Sequence, residues 1–570
     1  MLRVHKADQL HSSVGRTILF AVLTWFLTHT PLPLLKFILL TIDVTTFWVR
    51  LIINKLKNSK ERVLLSNLSQ STSFLEYIRT AFELDKLLHN DIWKENLVSG
   101  KYDYRLIQER LHDLQSARLT NDTPRVLSLL RAGMLRNFGG ISSKRLYNRT
   151  YTGTKILIEQ YNHELTNCLK WLNDSPWIDS QTKLDFFHDA KTTLGATALC
   201  LHGGSLFGLC HLGVVKGLLD SDLLPDVIVG SGAGSAVGAL LCCLQKHELD
   251  DIFNDVGKCM NEDGLGFDDM WAAESDKGAN GEYNNIKLLE DLKKGMTMEL
   301  KNFIQFTLNR IGNVTFKEAY QKSGKAFNIL VYPSSNKMPT LLNYLSTPYI
   351  TVKSAVYCSI GTGVFEVDKE KEAERNNNEC IDPYQLMIKY NGILAKYSNV
   401  DCDFRPPYQV GGESMELKNS PYDRITELFN VNHFIISISR PYLAPFLTGD
   451  WRSTYQRNTI MKKLLNILNI EFKHRIRMLN RFGLLSSLMR WLLVDEKSML
   501  LDSNYIPIVP VGNKWILWDL LDLFIQNKSV LNYWIECGER SVWAMHSLLE
   551  TRISTEVELD EYYEKYRKIH

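Results

Sequence analysis

The chain has 570 residues, 45% hydrophobic and 23% charged, a balance that excludes a disordered protein and a length that implies two or three structural regions. Lys and Arg number 66 against 64 Asp and Glu, so the net charge of +2 gives no general attraction to nucleic acid, and any anionic surface must be met by local clusters. The ten cysteines lack C-x-x-C spacing and several lie inside apolar runs, which reads as reduced, packed thiols in a cytosol-facing protein.

Residues 17–54 are strongly apolar but are interrupted by His29, Pro31, Pro33, Lys36 and Asp43. No run reaches the roughly 18–20 residues that a spanning helix needs. Two apolar legs, 17–28 and 34–49, meet at Thr30-Pro31-Leu32-Pro33. Paired prolines break a helix, so the shape suits a hairpin that dips into one lipid leaflet or lies along a lipid surface. Lys55, Lys57, Lys60 and Arg62 follow where phospholipid headgroups would sit. The same legs would also serve as two helices buried in the protein's own core. A secretory signal is not indicated, because there is no compact cleavage site.

Residues 70–195 read as mostly helical, with apolar periodicity over 74–88 and 154–172 and a polar break at Thr120-Asn121-Asp122-Thr123-Pro124. The segment 134–141 carries no chemistry that spacing reveals and is expected to be a loop packed on the next domain. From residue 197 strand and helix alternate. The strand 197–201 enters the turn His202-Gly203-Gly204-Ser205-Leu206-Phe207-Gly208, followed by an amphipathic helix over 209–219. A second strand, 227–229, enters Gly230-Ser231-Gly232-Ala233-Gly234 and a small-residue helix ending at Cys243. This is a βαβ unit of a parallel sheet, with later strands expected at 327–331 and 434–437.

A glycine loop opening a helix leaves backbone N–H groups aimed outward, where they can hold the oxyanion of an acyl-transfer intermediate. A phosphate loop ranks lower, since neither G-x-G-x-x-G nor G-x-x-x-x-G-K-[ST] is present. The strand, turn and helix around Gly232 match the nucleophile elbow G-x-S-x-G in every respect but one, because glycine stands where the serine belongs.

The paired glycine loop and elbow, with 134–141, 153–161, 426–434, 440–445 and 537–541, resemble the patatin-like fungal triacylglycerol lipases of lipid droplets, over about residues 40–550. The resemblance implies an α/β fold, a patatin-like three-layer hydrolase domain with helical N-terminal and C-terminal regions. Its implied divisions are a membrane or lipid-droplet hairpin at 1–62, a helical region at 63–195, the patatin-like domain at 196–450 and a helical region at 451–570. It implies ester hydrolysis by a Ser-Asp dyad without metal or organic cofactor. Carried over, the oxyanion glycines are Gly203, Gly204 and Gly208, the elbow glycines Gly230 and Gly234, and the nucleophile position Gly232. The aspartate turn falls at Gly411-Gly412-Glu413-Ser414, making Glu413 the stand-in acid, with Asp423 an alternative whose ordinary role is capping.

Ser231 and Ser235 are misdirected for an oxyanion hole built at position 232. The H-x₄-D motif that family members associate with lysophospholipid acyl transfer is absent: the nearest approach is His247 with Asp250 and Asp251. His433 and His211 read as packed histidines. A glycine-containing polar insertion at 272–281 reads as a solvated loop or a lid, and the cationic helical pattern at 461–493 as a lipid-surface or domain-packing helix. Two expectations follow. One is a lipase-type protein at lipid-droplet and endoplasmic-reticulum membranes that has lost its nucleophile chemistry and binds neutral lipid, phospholipid or related lipases. The other is an active lipase that uses Ser231 or a mechanism the motifs do not reveal.

Overall fold

Ala196–His202 carries small and apolar residues on both faces and is buried at every position between its ends, as a strand covered on both sides of a sheet requires. In the computed structural model it is the central strand of six. The described residues are 59–203, 207–262, 298–334, 338–362, 384–398, 402–405, 421–439, 474–475, 478, 505–510 and 530–568. The expected hairpin at 17–54, Gly204, Glu413, the insertion at 272–281 and nearly all of 461–493 lie outside them. The chain divides into two units, Met1–Ser66 with Gln456–Ser486, and Asn67–Tyr455 with Ser487–His570. In the first, residues 59–66 are helical. The second carries the architecture that follows.

Among the helices that precede the sheet are α1 (Phe74–Leu87), α2 (Asn90–Glu95), α3 (Tyr104–Leu119), α4 (Thr123–Gly133), α5 (Ile156–Asp174) and α6 (Ser180–Leu194). The break at 120–124 is where α3 ends and Asp122 caps α4, its side chain accepting the Arg125 N–H. Ile107, Leu114, Leu130, Tyr161 and Phe187 form a second core that Leu559, Tyr562 and Tyr566 of the C-terminal stretch share.

The sheet order is β4-β3-β2-β1-β7-β8. Its members are β1 (Ala196–His202), β2 (Val227–Gly230), β3 (Ala326–Leu330), β4 (Leu341–Asn343), β7 (Val431–Ile438) and β8 (Tyr505–Ile508). All neighbours run parallel except β3 and β4. A separate hairpin pairs β5 (Met387–Tyr390) with β6 (Ile393–Lys396). The unit also holds helices α7 (Cys210–Asp220), α8 (Ala233–Cys243), α9 (Met298–Ile311), α10 (Phe316–Ser323), α11 (Val352–Ile360), α12 (Pro421–Phe429), α13 (Val530–Trp543) and α14 (His546–Arg567), with shorter helices at Lys246–Asn254 and Val256–Glu262. Along β1 the faces alternate: Leu199 and Leu201 enter the larger core with α7, α8 and α13, whereas Ala198 and Cys200 enter the opposite one with Tyr422 and Ile425 of α12. The domain is thus an α/β sheet between two helical layers.

The reading of 451–570 as wholly helical is corrected at Tyr505–Ile508, which pairs with β7 as an edge strand. The same stretch supplies α13, which lies directly on α7. A Cβ on Gly213 would stand 1.9 Å from the Ile535 carbonyl oxygen, and one on Gly538 would stand 2.3 Å from that of Cys210. Glycine at both positions lets the two backbones touch, and Lys216 of α7 pairs with Glu539 of α13 at 2.9 Å.

Segment 134–141 does pack on the sheet domain, through Arg136. Its guanidinium donates to the carbonyls of Gly195 and Arg552 and to Asn432, and pairs with Glu556 at 2.9 Å. Seven of the cysteines are buried and none of the nine described is bridged, as packed thiols require. Burial pushes the Cys242 thiol up to about 12. No described helix is long and apolar enough to cross a membrane.

Candidate active site

In a doubly wound sheet the ligand crevice lies at the carboxyl ends of the strands, beside the point where strand order reverses. Here the chain progresses from β1 through β4 on one side and returns through β7 and β8 on the other. The loop leaving β1 and the turn leaving β2 therefore meet at that crevice.

The turn is built by close contact. A Cβ on Gly230 would lie 2.6 Å from the Ser235 Cα, and one on Gly234 would lie 2.3 Å from the Leu201 carbonyl oxygen. Both positions admit only glycine without displacing backbone. Between them, Gly232 has φ 57° and ψ −129°, a conformation L side chains rarely adopt. This is the sharp strand-to-helix turn that presents a nucleophile in hydrolases.

Hydrogen bonds lock the frame. The Ser231 N–H donates to the Leu201 carbonyl at 3.1 Å, and the Gly234 N–H to the Gly203 carbonyl at 3.0 Å. The Gly203 N–H donates to Ser231 Oγ at 2.9 Å. Ser235 Oγ donates to the Gly232 carbonyl at 2.5 Å. The Gly232 N–H donates to Ser359 Oγ at 2.9 Å, and Ser359 Oγ donates to the Leu330 carbonyl at 2.7 Å. Ser231, Ser235 and Ser359 are all buried.

These contacts correct one expectation. Gly203 (φ 67°) is not a free oxyanion donor, because its amide already holds the Ser231 hydroxyl. It anchors the turn instead. Gly208 opens α7, its carbonyl accepting the His211 N–H at 3.1 Å. Glu413 and Gly204 are outside the described residues, and Asp423 is exposed in the first turn of α12. Ser359, which ties α11 to the turn and to β3, has no sequence signature beyond a serine in the apolar run Val352–Ile360.

Both weighed histidines have buried partners of their own. His211 is buried with Nδ1 2.8 Å from Ser437 Oγ. His433 lies beside Thr197 at the amino end of β1, five residues from His202 and so roughly 16 Å along the strand. Its Nε2 accepts from Arg552 at 3.0 Å, and burial with the charges of Arg552, Arg136 and Lys144 pushes its pKa well below the usual histidine value. Sequence reasoning missed His202, at the carboxyl end of β1, whose Nδ1 lies 3.1 Å from the Tyr422 hydroxyl.

Residues 199–362 match the model for patatin-like phospholipases, and residues 54–192 match a domain of unknown function (DUF3336). Triacylglycerol lipase 3 of Saccharomyces cerevisiae is 30% identical to this chain, the match covering 94% of each. The chain belongs to the patatin-like phospholipase family. Triacylglycerol lipase ptl1 of Schizosaccharomyces pombe is also 30% identical, over 84% of this chain and 81% of its own length. Triacylglycerol lipase ptl3 of the same yeast is 30% identical over 75% and 83%. The patatin-like match begins inside β1 and ends just beyond α11, so it contains the glycine loop, the turn and Ser359.

Proposed function

We propose that this chain is a triacylglycerol-lipase-type member of its family that acts at the cytosol-facing surface of lipid droplets and the endoplasmic reticulum in neutral-lipid breakdown, with its own hydrolysis lost or strongly reduced. Gly232 at the tip of the turn carries this reading. Its position between β2 and α8, and its φ and ψ, are those of a nucleophile elbow, yet it has no side chain to attack an ester. The names of the relatives support the substrate class, and the retained glycine packing supports a scaffold kept for binding lipid or related lipases.

The adjacent hydroxyls support loss rather than replacement. Ser231 Oγ is held by the Gly203 amide and Ser235 Oγ by the Gly232 carbonyl. Removing a nucleophile from such a unit costs about a millionfold in kcat, or roughly 8 kcal/mol of barrier. Binding and an oxyanion hole alone leave about 10³- to 10⁴-fold over water.

Fatty-acid release from trioleoylglycerol emulsions by the purified full chain tests this. Release at the level of a protein-free control is expected, and Gly232→Ser is expected to raise it. Wild-type turnover comparable to that of a related lipase assayed in parallel would overturn the reading. A silent wild type with a silent Gly232→Ser would place a second loss at the acid turn near Glu413.

A further inference from the structure

A second site lies in the helical region preceding the sheet, where residues 54–192 match the domain of unknown function. A cleft of about 460 Å³ opens beside α2 and the start of α5, within the size range of small-molecule sites. Its lining includes Ile92, Trp93, Val98, Lys101, Arg149 and Lys155, and no acidic residue.

Lys155 is 1% exposed, which for an ammonium normally requires a partner carboxylate. Among the described residues it has none. Its Nζ donates to the carbonyls of Trp93 and Asn96 and lies 4.1 Å from the Trp93 ring centroid. An ammonium has three donors, so two carbonyls leave one unused. The Arg149 guanidinium lies 5.4 Å from the same ring. Two carboxylates of neighbouring elements are committed elsewhere: Asp85 to Lys94, Asn90 and the amides of Tyr151 and Thr152, and Glu159 to the Thr154 amide. The Lys155 pKa is lowered, first by burial and then by Arg149 and Lys101, as expected where three cations share one lining, and Lys101 Nζ donates to the Arg145 carbonyl at 3.0 Å.

We propose that this cleft binds a phosphate group, presented by an anionic phospholipid headgroup. Lys101 and Arg149 reach it from the exposed side and Lys155 from beneath. Arg149 supplies the planar fork that suits phosphate oxygens. Ile92 and Val98, 69% and 64% exposed, stand on the same lining where acyl chains would leave a headgroup. The proposal is independent of whether Gly232 has ended hydrolysis.

The test uses the purified full chain and two probes. Co-sedimentation compares vesicles of phosphatidylcholine alone with vesicles containing a minority of phosphatidic acid, and the increment due to phosphatidic acid is the readout. Calorimetry with inorganic phosphate and glycerol 3-phosphate probes soluble ligands. The increment should fall by at least about tenfold in Arg149→Gln, since a charge-assisted hydrogen-bond pair is lost. Lys101→Gln should lower it as well. Arg567→Gln, an exposed arginine near the end of α14, should leave it unchanged. Soluble phosphate binding that depends on Arg149, without a vesicle increment, would keep the phosphate site but overturn the lipid source. An increment insensitive to Arg149→Gln, equally sensitive to Arg567→Gln, or absent with both probes silent would overturn the proposal.

Discussion

The two ends of β1 are built from opposite materials. At its carboxyl end, glycines and short hydroxyl side chains from the loop after β1, the turn after β2, α8 and α11 are bonded to backbone, with no charged group in these bonds. At its amino end, long charged side chains from distant segments converge. Glu556 of α14 accepts from the Thr197 amide at 2.6 Å, from the Thr197 hydroxyl, and from Arg136. Arg552 donates to the Ser142 carbonyl at 2.7 Å and to His433, and burial pushes its guanidinium down to about 10. One end shapes a crevice by letting backbones approach, and the other ties the preceding helices and α14 to the sheet. A substitution at the first end need not disturb the second, so the proposed loss of hydrolysis is compatible with an intact patatin-like scaffold.

Substitutions at the two ends should therefore fail differently. Glu556→Ala should have the largest effect, a loss of about 3–5 kcal/mol, because the largely enclosed Arg136 charge would lose its carboxylate and the buried Thr197 amide and hydroxyl their acceptor. Thermal unfolding followed by circular dichroism would check it, and a loss below about 1 kcal/mol would mean the ionic end is not the tie described.

Gly234→Ala should cost about 3 kcal/mol, since its Cβ would meet the Leu201 carbonyl oxygen at 2.3 Å and neither backbone can yield cheaply. Gly232→Ala should cost less, about 2 kcal/mol, because the penalty is one disfavoured φ and ψ rather than a backbone collision. Equal losses in urea titrations of the two variants would erase that distinction.

The smallest effect is a pH slope. His433 stays neutral in the folded chain while an unfolded histidine takes up a proton below about pH 6.5, so stability falls as pH drops through that value. The slope contributed is at most about 1.4 kcal/mol per pH unit, and it ends once pH passes below the folded pKa. His433→Gln should flatten this part of the acid limb. An unchanged limb would show that His433 protonates in place.

What was legible in the sequence was local. The glycine spacing at 203–208 and 230–234 encodes its own turns, so β1, α7, β2 and α8 are read to within about a residue. The packing demand on Gly234 comes from Leu201, in the adjacent parallel strand, and sequence patterns of βαβ units carry it. Less local features stay hidden. β8 is four residues in a helical-looking stretch and becomes a strand only by pairing with β7. The Thr197 to Glu556 bond joins residues 359 apart, and no period marks either partner. Gly203 was legible as a special glycine but not in its role, because its bond to Ser231 depends on how β1 and β2 are juxtaposed. The Trp93 cleft was illegible because it depends on which nearby carboxylates are already spent.

The most direct test of the proposed loss of hydrolysis is labelling of the purified full chain with a serine-reactive fluorophosphonate, followed by mass-spectrometric mapping of the modified residue. No label on Ser231 or Ser235 of the wild-type protein is the predicted result. A label on either serine, abolished when that serine is changed to Ala, would contradict it.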